Sequence, residues 1–221
     1  MIAALVPAKA LDQAKGRLAA VLSEDERREL ALAMLEDVLR ALQAVPRLDL
    51  IAVVSPDAEV LAKAQALGAQ PIAEPPSARG LNQALRHGLS LLSPRGIDAL
   101  LVALGDVPLV SPAEIEAILD ALPAGRGAVI CPSVARGTSA LALRPVDAIP
   151  FRFGRGSFLA HRREAAAHGI PCRVLRIDSL TADIDGPDDL LGLIWRPGDT
   201  TTHRFLVRLR LAERLQAAHR Y

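Results

Sequence analysis

Two hydrophobic periodicities alternate along the whole chain. Short, mostly apolar runs at Ile2–Val6, Leu50–Val54, Gln70–Ala73, Leu100–Leu104, Gly127–Cys131, Ala140–Leu143 and Cys172–Ile177 read as strands, the unbroken Leu100–Leu104 run as one buried on both faces. Segments with apolar residues at helical spacing lie between them. Leu30, Met34, Leu35, Val38, Leu39 and Leu42 form one such stripe, preceded by the capping box Ser23…Glu26, and predict a helix to about Ala44. Ser55-Pro56 predicts a second helix with proline at its first position, ended by Gly68. Further helices are predicted from Gly80 to Leu92, from the second capping box Ser111…Glu114 to Leu122, from Ser157 to His168, from Pro187, and over Arg204–Ala218. The alternation is unbroken and carries no internal repeat. It predicts one three-layer α/β domain over residues 1–196, with a mixed, mostly parallel central sheet, followed by a linker and helix over 197–221.

Within this pattern the run Leu100–Leu104 is central. It passes directly into Gly105-Asp106-Val107-Pro108, and a residue before proline is pushed out of helical geometry, so the ladder is expected to end near Val107. Asp106 then sits at the carboxyl end of a middle strand, the edge of an open α/β sheet where ligands bind. A carboxylate there suits a magnesium ion carrying a nucleoside triphosphate. A second acidic cluster, Asp183-Ile184-Asp185, supplies two alternating carboxylates that share a face in extended geometry, while Asp188 and Asp189 suit a helix N-terminus.

Composition sharpens this reading at one point. Arginine carries nearly all the basic charge, and lysine occurs only at positions 9, 15 and 63. Two of those lysines share the loop after the first strand with Arg17. Cations there would neutralise a triphosphate and the charge on a departing pyrophosphate. That loop is neither a Walker sequence nor G-x-G-x-x-G. Gly80 opens a helix where a ligand can approach the backbone, and Asn82 can both donate to and accept from a base or ribose. Gly137-Thr138-Ser139 and the glycine-rich Phe153-Gly154-Arg155-Gly156-Ser157 at a helix start offer hydroxyls and backbone N–H groups to an anion, with Arg152 and Arg155 adding charge.

A net charge of +1 does not suggest a nucleic-acid partner, and no apolar run reaches the ~18 residues of a membrane span. Cys131 and Cys172 lie in apolar runs far apart, and the start of the chain lacks signal-peptide character. Reduced cysteines in a cytoplasmic protein are expected.

Several stretches together resemble the guanylyltransferases of coenzyme F-420 biosynthesis, which act on phosphoenolpyruvate or 2-phospho-L-lactate. They are the opening VPAKALDQAKGRLAAVLSEDERRELALAMLEDVL, then GLNQAL, GDVPL, GTSALAL, FGRGSFLAH and DIDGPDDL. The resemblance covers the chain to about residue 195; the family more often has Asn where Ser139 stands. It implies a Rossmann-like nucleotidyltransferase fold of the glycosyltransferase-A type. It also implies transfer of GMP from GTP to the phosphate of a three-carbon acid, with release of pyrophosphate. By the same resemblance Asp106 and Asp185 bind two magnesium ions, Lys9, Lys15 and Arg17 hold the triphosphate, and Lys15, Asp106 and Asp185 carry catalysis. Gly80 and Asn82 hold the guanosine; Thr138, Gly154 and Ser157 hold the acceptor.

An acceptor phosphate is already nucleophilic, so alignment of two repelling anions and neutralisation of their charge suffice, and no general base is needed. Phosphoenolpyruvate is the expected acceptor, with 2-phospho-L-lactate and 3-phospho-D-glycerate open beside it. A non-catalytic nucleotide-binding module is the alternative from another class. A homodimer, with the terminal helix as one contact, is the expected assembly.

Overall fold

A computed structural model describes residues 1–78, 80–134, 136–181, 186–194 and 198–218. The strands are β1 (Ile2–Pro7), β2 (Leu50–Ser55), β3 (Gln70–Ala73), β4 (Ala99–Ala103), β5 (Gly127–Pro132), β6 (Thr138–Arg144) and β7 (Cys172–Val174). The helices are α1 (Glu24–Gln43), α2 (Ala58–Ala66), α3 (Leu81–Leu92), α4 (Pro112–Ala121), α5 (Ser157–Ala167), α6 (Asp178–Thr181), α7 (Pro187–Ile194), α8 (Thr201–Arg208) and α9 (Leu211–Ala218). One sheet holds the strands in the order β3-β2-β1-β4-β6-β5-β7. β6 pairs antiparallel with β4 and β5, and every other pairing is parallel. The expected mixed, mostly parallel sheet is present.

Strand alternation builds the three layers. Ala4, Val6 and Leu101 pack with Leu35, Val38, Leu39, Ile115 and Ile118 of α1 and α4 on one face. Ala3, Leu5, Leu100 and Val102 pack with Ala84, Leu85 and Ala165 of α3 and α5 on the other. Gly88 of α3 lets that helix lie directly on β1: a Cβ there would stand 3.0 Å from Leu5 Cδ1. The predicted capping boxes Ser23/Glu26 and Ser111/Glu114 start α1 and α4, and the second has proline in its first turn.

Four boundaries differ from expectation. β4 ends at Ala103, three residues before Asp106; the Leu104 amide continues the pairing, donating to the Ser139 carbonyl at 3.1 Å. β7 stops at Val174. α2 starts at Ala58 and not at Pro56, because the Asp57 carboxylate accepts the Glu59 and Val60 amides. The terminal helix is two helices, α8 and α9, broken where Arg210 takes a left-handed backbone (φ 48°), a break that the apolar pattern through Leu209 and Leu211 conceals.

α8 and α9 are fastened to the body. A third apolar cluster joins Leu18, Leu22, Leu30 and Met34 to Leu190, Leu193, Phe205, Leu206, Leu211 and Leu215. The buried Asp37 carboxylate of α1 accepts the Thr201 and Thr202 amides at 2.7 and 2.8 Å and the Thr202 hydroxyl at 2.6 Å. A carboxylate from α1 thus caps α8.

Candidate active site

The carboxyl edge of the sheet carries a cleft of about 400 Å³. Pro7–Leu11 and Gln13–Lys15 after β1, Val54 and Pro56 after β2, Glu74 after β3, Gly80 at the start of α3 and Leu104–Asp106 after β4 all line it. Two of the three lysines therefore face one cavity; the third, Lys63, pairs with Glu36 at 2.5 Å. Lys15 Nζ meets Asp106 Oδ2 at 2.9 Å, with side-chain exposures of 7% and 35%. Lys15 has a left-handed backbone (φ 51°) and caps the short turn Gly16–Leu18, a conformation held against its usual cost of roughly 1–2 kcal/mol. Arg17 lies exposed on that turn, outside the lining of the cleft.

The lysine loop is anchored from α2. Asp57 Oδ2 accepts the Leu11 amide at 2.9 Å while Oδ1 caps the helix. Burial pushes the Asp57 carboxyl up, but its hydrogen bonds from the Leu11, Glu59 and Val60 amides outweigh this and hold it below the ordinary value. The stability it contributes is therefore present above the unfolded carboxyl pKa and is lost as pH falls through the lower folded one. Asp57→Ala is expected to cost about 1–2 kcal/mol in denaturant titration and to weaken nucleotide binding by releasing the loop.

Gly80 has φ 84° and ψ 165°, a region that essentially only glycine occupies, and a Cβ there would meet nothing within 4 Å. Asn82 is placed differently from expectation. Its Nδ2 donates to the Phe153 carbonyl at 2.9 Å and its Oδ1 accepts the Phe153 amide at 2.8 Å. The amide that was expected to meet guanosine thus staples the start of α3 to the segment that carries Gly154.

A buried cluster of hydroxyls and a histidine joins the start of β6 to α5. β6 begins at Thr138 beside β4, and the Leu104 amide reaches the Ser139 carbonyl, so the start of β6 adjoins the segment that leads to Asp106. Thr138, Ser157 and His161 are 3%, 1% and 0% exposed. Ser157 Oγ donates to Thr138 Oγ1 at 3.2 Å, and His161 Nδ1 lies 3.0 Å from the same oxygen. The Arg152 amide donates to His161 Nε2 at 2.9 Å. Nε2 therefore carries the lone pair, and the neutral ring holds its proton on Nδ1, pointing it at Thr138. Thr138 Oγ1 then accepts two hydrogen bonds, and its own hydrogen is left for a third partner. Gly154 (φ 129°) and Gly156 (φ 74°) shape the turn before Ser157, whose amide donates to the Gly154 carbonyl at 3.0 Å. A side chain on Gly137 would strike Ser133 Oγ at 2.6 Å. Arg152 is held by Glu164 at 2.6 Å, so its guanidinium is engaged away from the role expected of it.

Burial pushes the His161 pKa down to about 4, Glu164 pulling it up and Arg152 pressing it down further. The unfolded chain therefore binds the extra proton first. Stability from this group is complete above about pH 6.5 and is lost as pH falls towards 4, by roughly 3 kcal/mol. Urea titrations between pH 7 and pH 4 should show that loss, and His161→Phe should flatten it. Sequence reading overlooked His161; its signal was the i, i+4 spacing from Ser157, which puts both on one face of α5.

Among the described residues no group of three or more His, Cys, Asp or Glu is placed to hold a metal ion. Asp106 stands as a single carboxylate; Asp183 and Asp185 lie outside the described residues. Magnesium is commonly held by one or two carboxylates together with substrate phosphates, a donor set that Asp106 fits. Among the described residues no helix is long and apolar enough to cross a membrane.

Comparison with known proteins gives a consistent picture. A family model described as "Guanylyl transferase CofC like" matches residues 2–220, so the match runs past Arg196 and takes in α8 and α9. The chain is 46% identical over 188 residues to a phosphoenolpyruvate guanylyltransferase of Sphaerobacter thermophilus, covering 85% of this chain and 89% of the relative. It is 35% identical over 208 residues to a 2-phospho-L-lactate guanylyltransferase of Methanothermobacter thermautotrophicus, covering 94% and 90%. Among solved structures, a nucleotidyl transferase from the same archaeal species superposes with a TM-score of 0.64 at 20% identity, covering 87% of this chain and 95% of that one.

Proposed function

Because the chain belongs to the CofC-like guanylyl transferase family, we propose that it transfers GMP from GTP to the phosphate of phosphoenolpyruvate, giving enolpyruvyl-diphospho-guanosine and pyrophosphate. The observation that carries this reading is the order of groups along one sheet edge. The lysine loop follows β1, Asp106 follows β4, and the buried Thr138–Ser157 hydroxyl pair lies at the start of β6, the strand beside β4. Nucleotide and acceptor would meet at the Asp106 turn.

In the reaction an oxygen of the acceptor phosphate forms a bond to the α-phosphorus of GTP. The bond from that phosphorus to the β-bridging oxygen breaks, and its electrons leave with pyrophosphate. No proton need be removed, so the chain's work is positioning and neutralisation. Lys9 and Lys15 would receive the triphosphate and the developing charge on pyrophosphate. Thr138 would direct its free hydroxyl hydrogen at the acceptor, with Ser157 and the Gly154 turn shaping the pocket. Asp106 would hold magnesium, with Asp185 as its partner ligand; the bound ion would supply charge neutralisation between the repelling phosphates.

The direct test is a pyrophosphate-release assay with GTP and each of phosphoenolpyruvate, 2-phospho-L-lactate and 3-phospho-D-glycerate, with mass spectrometry of the product. The expected result is an enolpyruvyl-diphospho-guanosine mass with phosphoenolpyruvate. Binding of GTP without pyrophosphate from any of the three acids would replace this reading with a nucleotide-binding module.

A further inference from the structure

We propose that Glu74 reads the Watson–Crick edge of guanine and so selects GTP over other nucleotides, an inference that rests on the guanylyl-transfer reading above. Glu74, Pro56, Lys9 and Asp106 follow the carboxyl ends of β3, β2, β1 and β4, which neighbour one another in that order, and all four line the cleft. The Glu74 amide continues the ladder, donating to the Ser55 carbonyl at 2.9 Å. Three strand spacings of ~4.8 Å, roughly 14 Å in all, separate β3 from β4, and Glu74 and Asp106 follow those two strands on the lining of the cleft. Lys9 lies in the loop after β1, the strand beside β4. That span suits a nucleotide whose α-phosphate sits at Asp106 and whose base reaches towards β3.

The lining charges divide accordingly. Lys9, Lys15 and Asp106 gather at the β1–β4 end, and Glu74 is the charged side chain at the other. The wall between is apolar, with Val54, Pro56, Val60, Leu81 and Ala84, a surface for a flat ring. Glu74 has no ion pair or side-chain hydrogen bond among the described residues, and His87 is the titratable group whose field reaches it. Burial pushes its carboxyl up, and two N–H donors would relieve that penalty.

Base chemistry then decides. Guanine presents N1–H and the 2-amino group side by side, a two-donor match to the two oxygens of a carboxylate. Adenine and cytosine place a ring lone pair where guanine has N1–H, and uracil flanks its single N–H with two carbonyls. Each would set a lone pair against the Glu74 oxygens, a mismatch in a partly buried site that disfavours the wrong base.

The test compares kcat/KM for GTP and ITP, which lacks the 2-amino group, in the full-length protein with phosphoenolpyruvate as acceptor. The wild type is expected to prefer GTP by about 10- to 100-fold. Glu74→Ala should bring the two nucleotides within about threefold of each other, mainly by lowering GTP use. The near-isosteric Glu74→Gln, whose amide can donate to the 2-oxo group, should gain turnover of XTP. A GTP/ITP preference that survives Glu74→Ala, or a wild type indifferent to ITP, overturns the assignment while GTP turnover upholds the activity. No pyrophosphate from GTP in the wild type would instead remove the activity itself, and this inference with it.

Discussion

Asp106→Asn is expected to keep the fold and the GTP affinity but to lower turnover by about 10²–10³-fold or more, the scale seen when one preorganised electrostatic group is removed from a reacting centre. The fold should survive because Asp106 lies in a turn beyond β4, 35% exposed, and holds no part of the core. Turnover should not, because on the proposed reading the lost charge sits where nucleotide and acceptor would meet. The ion pair with Lys15 offers a rival explanation: Asp106 could serve only to aim that ammonium, which is 7% exposed. Lys15→Met separates the two. If Asp106 acted solely through Lys15, adding Asp106→Asn to the Lys15→Met background would cost nothing further. A further loss in the double variant is expected in the pyrophosphate assay. Near-normal turnover of Asp106→Asn would take that residue out of the reacting centre.

Thr138→Val is expected to raise the acceptor KM about 10- to 100-fold, the scale of a hydrogen bond to a charged group of about 1.5–3 kcal/mol, with the KM for GTP little changed. Valine fills the volume but removes the oxygen that accepts from both Ser157 and His161. Those two buried donors would be left without their partner, at about 1–3 kcal/mol for each, so a drop in melting temperature should accompany the kinetic change. Thr138→Ser keeps the oxygen and should restore most of both. An unaltered acceptor KM in a folded Thr138→Val protein would place the acceptor elsewhere.

These two residues were legible in the sequence for different reasons. Asp106 stood out locally, because an apolar run entering Gly-Asp with a proline two residues on has few readings other than a strand leading to the ligand edge. Lys9 and Lys15 stood out by scarcity. Thr138 and Ser157 carried only the weak signal of hydroxyls beside glycines, and what gathers them with the buried His161 is a contact between β6 and α5 that no local spacing states. Asn82 shows the same limit in reverse: its chemistry suited a base, and tertiary packing gave it the Phe153 backbone. Asp57 was hidden behind Pro56, a stronger textual signal for a helix start, although its carboxylate both caps α2 and anchors the lysine loop. The layered α/β architecture was readable because strand and helix periods alternate cleanly. The break at Arg210 was not, since the apolar stripe continues across it.

The clasp between Asp37 and the amides of Thr201 and Thr202 has a consequence for how the chain is made. Leu30 and Met34 are buried against Phe205, Leu206, Leu211 and Leu215, residues that are synthesised long after α1. During translation that flank of α1 stays bare and greasy until α8 and α9 have left the ribosome. Truncation before Thr201 would leave every copy in that half-dressed condition, prone to clump, however sound its cleft.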